Sequence, residues 1–82
     1  MNGKVFRLLV IAPDGTRADE RVTSVILPAY DGKFGIKSRL YPINILLTDG
    51  DVTFTREDGT KDSVHIPGGI ADVCGDVTVV IG

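Results

Sequence analysis

Apolar and polar residues alternate with a period of two along most of this chain, in short runs cut by turn-forming pairs. In VFRLLVI, Val5 to Ile11, the alternation puts Phe6, Leu8 and Val10 on one face of a strand. VTSVIL, Val22 to Leu27, places Val22 and Ile26 on one face and Val25 and Leu27 on the other. INILL repeats the pattern through Ile43, Ile45 and Leu47. Val52 to Ile66 reads as one hairpin with Asp58-Gly59 in its loop and Val52, Phe54, Val64 and Ile66 inward. IADV and DVTVVI form a last pair, turning at Cys74-Gly75.

The punctuation supports short strands. Asp-Gly occurs at Asp14, Asp31, Asp49 and Asp58, and glycine reaches positive φ without steric cost. Pro13, Pro28, Pro42 and Pro67 each remove a backbone donor. A helix over Ala18 to Val25 is conceivable, but β-branched residues favour strand there. The reading is all-β: one domain, residues 1–82, forming a small β-sandwich or flattened barrel of about eight to ten short, mainly antiparallel strands.

Composition narrows the function more than the fold. A chain of 82 residues has little room for a deep cleft, and such a body more often binds than catalyses. The net charge of −2, with both signs interspersed, speaks against a nucleic-acid reader. A single cysteine gives no internal disulfide and no sign of an oxidising compartment. The run Leu8 to Ala12 is too short for a signal segment or a membrane span. A soluble, intracellular domain is therefore expected.

Candidate chemistry is sparse. His65 and Cys74 together are too few for a zinc site, and a nucleophilic dyad between them would lack an orienting third group. Asp49 and Asp51 flank Gly50 without the spacing of a calcium loop, so a polar hairpin turn is the simpler reading. Pro67-Gly68-Gly69 could form an anion nest, but a bulge that redirects the next strand fits better. No catalytic residue, cofactor or metal is expected. The segment YDGKFGIKSRLYP, Tyr30 to Pro42, stands out instead: it is too long for a hairpin turn and too rich in apolar side chains for an idle loop.

That segment carries a resemblance. Val25 to Val52 is similar to the signature of the epsilon subunit of rotary ATP synthases. Asp31, Gly32, Phe34, Gly35, Ile36, Pro42, Leu47, Gly50 and Val52 fall, without a gap, on that family's D/E, G, F, G, V, P, L, G and V. HIPGGIADVCGDVTVVI, His65 to Ile81, resembles a second family motif built around Gly68 and Gly69, and Phe6 to Gly15 resembles its opening strand and turn. There are departures. Arg39-Leu40-Tyr41 replaces the family's G-H-A before Pro42, Lys37-Ser38 replaces L-P, and Lys33 reverses a glutamate. The polar run Arg17 to Glu20 replaces apolar or aromatic residues. The resemblance ends at Gly82, short of the α-helical pair with which family members usually continue.

The resemblance implies a non-catalytic central-stalk subunit that joins the gamma subunit to the membrane c-ring, peripheral on the cytoplasmic face of a bacterial inner membrane. The loop around Gly32 and Gly35 would then face the ring. Tyr30, Asp31, Lys33, Phe34, Arg39 and Tyr41 become the candidate partner contacts, while Gly32, Gly35, Pro42, Gly50, Gly68 and Gly69 set turns. The competing reading is a free-standing β-sandwich adaptor that binds an unrelated partner. It accounts for the composition but not for three motifs in order.

Overall fold

The computed structural model describes residues 5–36, 40–75 and 77–82. These residues form eight strands and no helix: β1 (Phe6–Ala12), β2 (Gly15–Ala29), β3 (Gly32–Ile36), β4 (Leu40–Leu47), β5 (Gly50–Arg56), β6 (Lys61–Ile66), β7 (Gly69–Gly75) and β8 (Val77–Ile81). The stretch Ala18 to Val25 is strand, as its β-branched content favours. Every ladder is antiparallel except β1 beside β8.

Strand β2 organises both layers. Its first half pairs with β1 up to Val22, and its second half pairs with β3 on one side and β5 on the other. One layer runs β4–β7–β8–β1 and ends on the first half of β2; the other runs β3–β2–β5–β6. The pairing of Ala29 with Leu47 brings β2 back to β4, so a hydrogen-bonded circuit closes through β1, β8, β7, β4 and β2. That circuit makes the sandwich partly a barrel and leaves few strand edges bare.

The inward set is apolar. Phe6, Leu8 and Val10 of β1 meet Val22, Val25 and Leu27 of β2, with Leu47, Val52, Phe54, Ile66, Val73 and Val80 completing the core. Val64 packs against it from partial cover. Two details differ from simple alternation. A register shift between Val22 and Ser24 inserts a bulge, so Val22 shares the inward face with Val25 and Leu27 while Ile26 turns outward. Ile43 remains 39% exposed although Ile45 and Leu47 are buried, because β4 is irregular between Leu40 and Ile43.

The connections depart from simple hairpins. Thr48-Asp49 is not a hairpin turn: β4 pairs with β7 and β2, whereas β5 pairs with β2 and β6. The turn crosses from one layer to the other and is tied down by the Thr48 N–H donating to the Pro28 carbonyl at 2.8 Å. Gly50 is needed here for space, since a Cβ would lie 2.8 Å from Pro28 Cβ. Cys74 and Gly75 lie at the end of β7, with Cys74 opposite Val77 of β8. Gly69 is required on two counts: its φ is +136°, and a Cβ would overlap the Ile81 carbonyl oxygen.

Candidate functional site

Outward strand positions divide into two kinds of surface. On β1 and β2 they carry charged pairs, and a further charged group around Arg56 rims the inward face of β2, β5 and β6. Arg7 donates to both carboxylate oxygens of Asp19 at 2.9 and 2.8 Å. Arg56 reaches Glu20 at 3.2 Å and Asp62 at 2.8 Å while its guanidinium stands 5.3 Å over the Phe54 ring. Arg21 lies 3.4 Å from Glu57. The hydrogen bonds from Arg7 and Arg56 hold the Asp19 and Asp62 carboxyls below their ordinary range.

At one end of β4, β7 and β8 the outward positions are bare and apolar, with exposed Asn44 opposite Asp72 two residues along. Leu46 stands opposite Ile70, Ile70 opposite Ile81, and Ile81 opposite Ile11 of β1. Cross-strand partners share a face, so these residues form one row across four strands. Leu46 is 64%, Ile70 45% and Ile81 55% exposed. At its β4 end the row opens into a groove of about 370 Å³, whose apolar wall is Tyr30, Phe34, Ile43 and Leu46 and whose polar lining is Asp31 and Asn44. The Tyr30 N–H donates to the Leu46 carbonyl at 3.4 Å, joining the β2–β3 turn to β4. Tyr30 itself is 73% exposed.

The structure thus brings together Tyr30, Asp31 and Phe34 from the sequence candidates. Lys33 alternates with Phe34 on β3 and is exposed, opposite Pro28. Arg39 lies outside the described residues, and so does the Tyr41 side chain, although its backbone belongs to β4. Gly32, at φ +121°, starts β3 after the Tyr30-Asp31 turn; Gly68, at φ +129°, precedes β7. Gly35 lies within β3 rather than in a turn, and Pro42 lies within β4 at its irregularity, where a missing donor is tolerated. Sequence reasoning did not single out Leu46, Ile70 or Ile81. Their outward position followed from the same alternation that places Ile45, Ala71 and Val80 inward, but their alignment depends on the β4–β7–β8 register.

A second cluster was also missed as a unit. His65 on β6 stands opposite Asp51 on β5; its Nδ1 hydrogen-bonds Asp51 Oδ1 at 2.9 Å, and its Nε2 lies 3.0 Å from Asp49 Oδ1. The bond to Asp51, helped by the charge of Asp49, raises the His65 pKa above its ordinary value of 6.5. Among the described residues, no group of three or more His, Cys, Asp or Glu side chains is arranged to hold a metal ion. Among them too, no helix is long and apolar enough to cross a membrane.

A contiguous exposed apolar row is a candidate docking surface, and comparison with known proteins identifies the fold that carries it. The family model described as ATP synthase, Delta/Epsilon chain, beta-sandwich domain matches residues 5–82. The chain belongs to that family. Among curated relatives, it is 33% identical over 78 residues to the ATP synthase epsilon chain of Chlorobium limicola, covering 95% of this chain and 89% of that one. It is 28% identical over 76 residues to the epsilon chain of Dichelobacter nodosus, covering 93% of this chain and 53% of that one. The epsilon chain of Prochlorococcus marinus is 35% identical over 75 residues, with 90% and 55% covered.

The chain therefore spans about half the length of two of these delta/epsilon relatives and most of the third. Two solved structures share its fold. A chain of the Euglena gracilis mitochondrial ATP synthase, solved with OSCP, F1 and c-ring, superposes with a TM-score of 0.85 at 23% identity, covering 99% of this chain and 52% of that chain. A chain of the Tetrahymena thermophila mitochondrial ATP synthase central stalk and c-ring gives 0.76 at 10% identity, covering 99% and 65%. The delta/epsilon sandwich thus keeps its form where few of its residues persist.

Proposed function

We propose that this chain is a non-catalytic rotor component of an ATP synthase, joining the gamma subunit of the central stalk to the c-ring at the cytoplasmic face of a bacterial inner membrane. The observation that carries the reading is the row Leu46, Ile70 and Ile81, exposed side by side on a sandwich of the delta/epsilon family. Torque has to cross a joint of this kind without slip. A hydrogen-bonded sandwich resists shear, and grip comes from buried contact area rather than from a reacting group. A permanent joint buries upwards of roughly 2,000 Å² in total, with a few large side chains contributing most of the affinity.

The apolar row and its groove are the gamma-binding surface in this reading. The turn at Tyr30 and Asp31, with Lys33 beside it, points to the ring. A basic residue at Lys33 disfavours a basic loop on the facing c subunit, because like charges brought face to face are costly.

The test is association of the purified chain with gamma. Binding is expected for the natural chain and a loss of at least about tenfold in affinity for Leu46→Asp, with folding intact. Failure to bind gamma would overturn the reading and leave the free-standing adaptor. For the ring side, Lys33→Glu should alter coupled ATP synthesis in membranes; unchanged coupling in a fully assembled motor would remove that contact.

A further inference from the structure

The bracket around His65 is unused by docking. A neutral imidazole has one N–H and one lone pair, whereas an ionised carboxylate only accepts. Here both ring nitrogens face carboxylate oxygens, Nδ1 at 2.9 Å from Asp51 and Nε2 at 3.0 Å from Asp49. A neutral ring would point a lone pair at one of them. Both contacts are attractive only when both nitrogens carry protons.

We infer that His65 is a proton-operated clasp that fastens β6 to the β4–β5 crossing turn and releases that turn when its imidazolium loses a proton. The proton leaves from Nε2 to solvent. Nδ1–H then stays on Asp51, its cross-strand partner and hydrogen-bond acceptor, while the new lone pair on Nε2 faces Asp49 and pushes it off. Asp49 is the free end of the clasp because it sits in the turn, outside any strand.

The charges around the ring set its sensitivity. Asp51 from β5 and Asp49 from the turn favour the protonated form. From the β1–β2 end, Arg17 lines with His65 a small cavity of about 80 Å³ beside Pro13 and Pro67 and places a positive charge on that side. Arg17 is in turn partly offset by Asp14, 3.9 Å away. The side chains of His65, Asp49 and Asp51 are 64%, 70% and 59% exposed, so salt weakens the clasp.

What the clasp holds is a corner of the fold. Asp49 follows Thr48, whose N–H is bonded to Pro28, and Leu46, whose carbonyl accepts from Tyr30, lies just before it. Proton loss therefore loosens the turn at the rim of the apolar groove. The inference concerns the isolated chain and stands whether or not that groove binds gamma.

Nuclear magnetic resonance of the ring nitrogens across the titration decides it. The expected result is a His65 midpoint higher than in the Asp49→Asn, Asp51→Asn double variant, with Nδ1–H as the neutral tautomer and the Asp49 and Gly50 amides shifting at the same midpoint. Equal midpoints, or a neutral ring protonated at Nε2, would overturn it. Thermal unfolding is the second readout. Because the folded-state pKa is raised, the stabilisation is full below the unfolded value and lost as pH rises through the folded one. The natural chain should therefore unfold at higher temperature than His65→Gln at about pH 5 and at the same temperature at about pH 9. A difference that ignores pH would sink the clasp.

Discussion

Two phenylalanines flank strand β2 and meet opposite treatment. Phe54, opposite Val25, is buried to 2% exposure, and Arg56 spreads over its ring while holding Glu20 and Asp62. Phe34, opposite Leu27, is only partly buried and borders the groove with Tyr30, Ile43 and Leu46 exposed around it. Both rings belong to the same core. One has a charged cover that turns water away; the other stays partly open at the groove. The same contrast runs over the outer faces, where Arg7 and Asp19 seal β1 and β2 and nothing charged interrupts Leu46, Ile70 and Ile81.

The largest effect should come from truncating the sealed ring. Phe54→Ala is expected to cost about 3–5 kcal/mol of stability in a urea titration, and Phe34→Ala less than about half of that, because less of its surface leaves water on folding. Equal losses would break the comparison. Next in size is the proposed docking surface. Ile70→Lys should weaken gamma binding by about 2 kcal/mol, roughly thirtyfold, with the unfolding midpoint of the isolated chain nearly unchanged. A charge on the sealed side, such as Thr53→Lys, should leave that binding alone.

Smaller again is Arg56→Met, which keeps the stem over Phe54 and removes the guanidinium. A modest loss of stability is expected at low ionic strength and a smaller one at high salt, since the ion pairs are partly exposed. A loss insensitive to salt would assign the role of Arg56 to packing alone. The smallest effect belongs to acid. Asp62 is held below its ordinary value of 3.8 by the bond from Arg56, so its stabilisation is present above that value and fades as pH falls through the depressed one. Asp62→Asn should therefore flatten the acid limb of the unfolding midpoint against pH slightly.

Much of the fold was readable in the residues. Period-two alternation located the inward faces of β1, β5 and β6, and Asp-Gly pairs marked the β1–β2, β2–β3 and β5–β6 turns, because both signals are local. The same local rules failed where a non-local contact intervened. The bulge near Val22 reflects pairing with β5, and the crossing turn at Asp49 reflects the choice of β7 over β5 as partner for β4. Of the proposed docking surface, Tyr30, Asp31 and Phe34 stood out through their motif. Leu46, Ile70 and Ile81 did not, since isolated outward aliphatics are ordinary on any surface.

What the chain's own order of residues settled, then, was strand character, the polarity of each strand's two sides and membership of the delta/epsilon family. These depend on neighbours one or two positions apart and on motifs that survive in linear form. Only the folded arrangement decided that Leu46, Ile70 and Ile81 form one row and that Asp49, Asp51 and His65 form one bracket. A row across strands is a matter of register, and register is set by hydrogen bonds between segments far apart in the chain, where a shift of one residue would send every side chain to the other face.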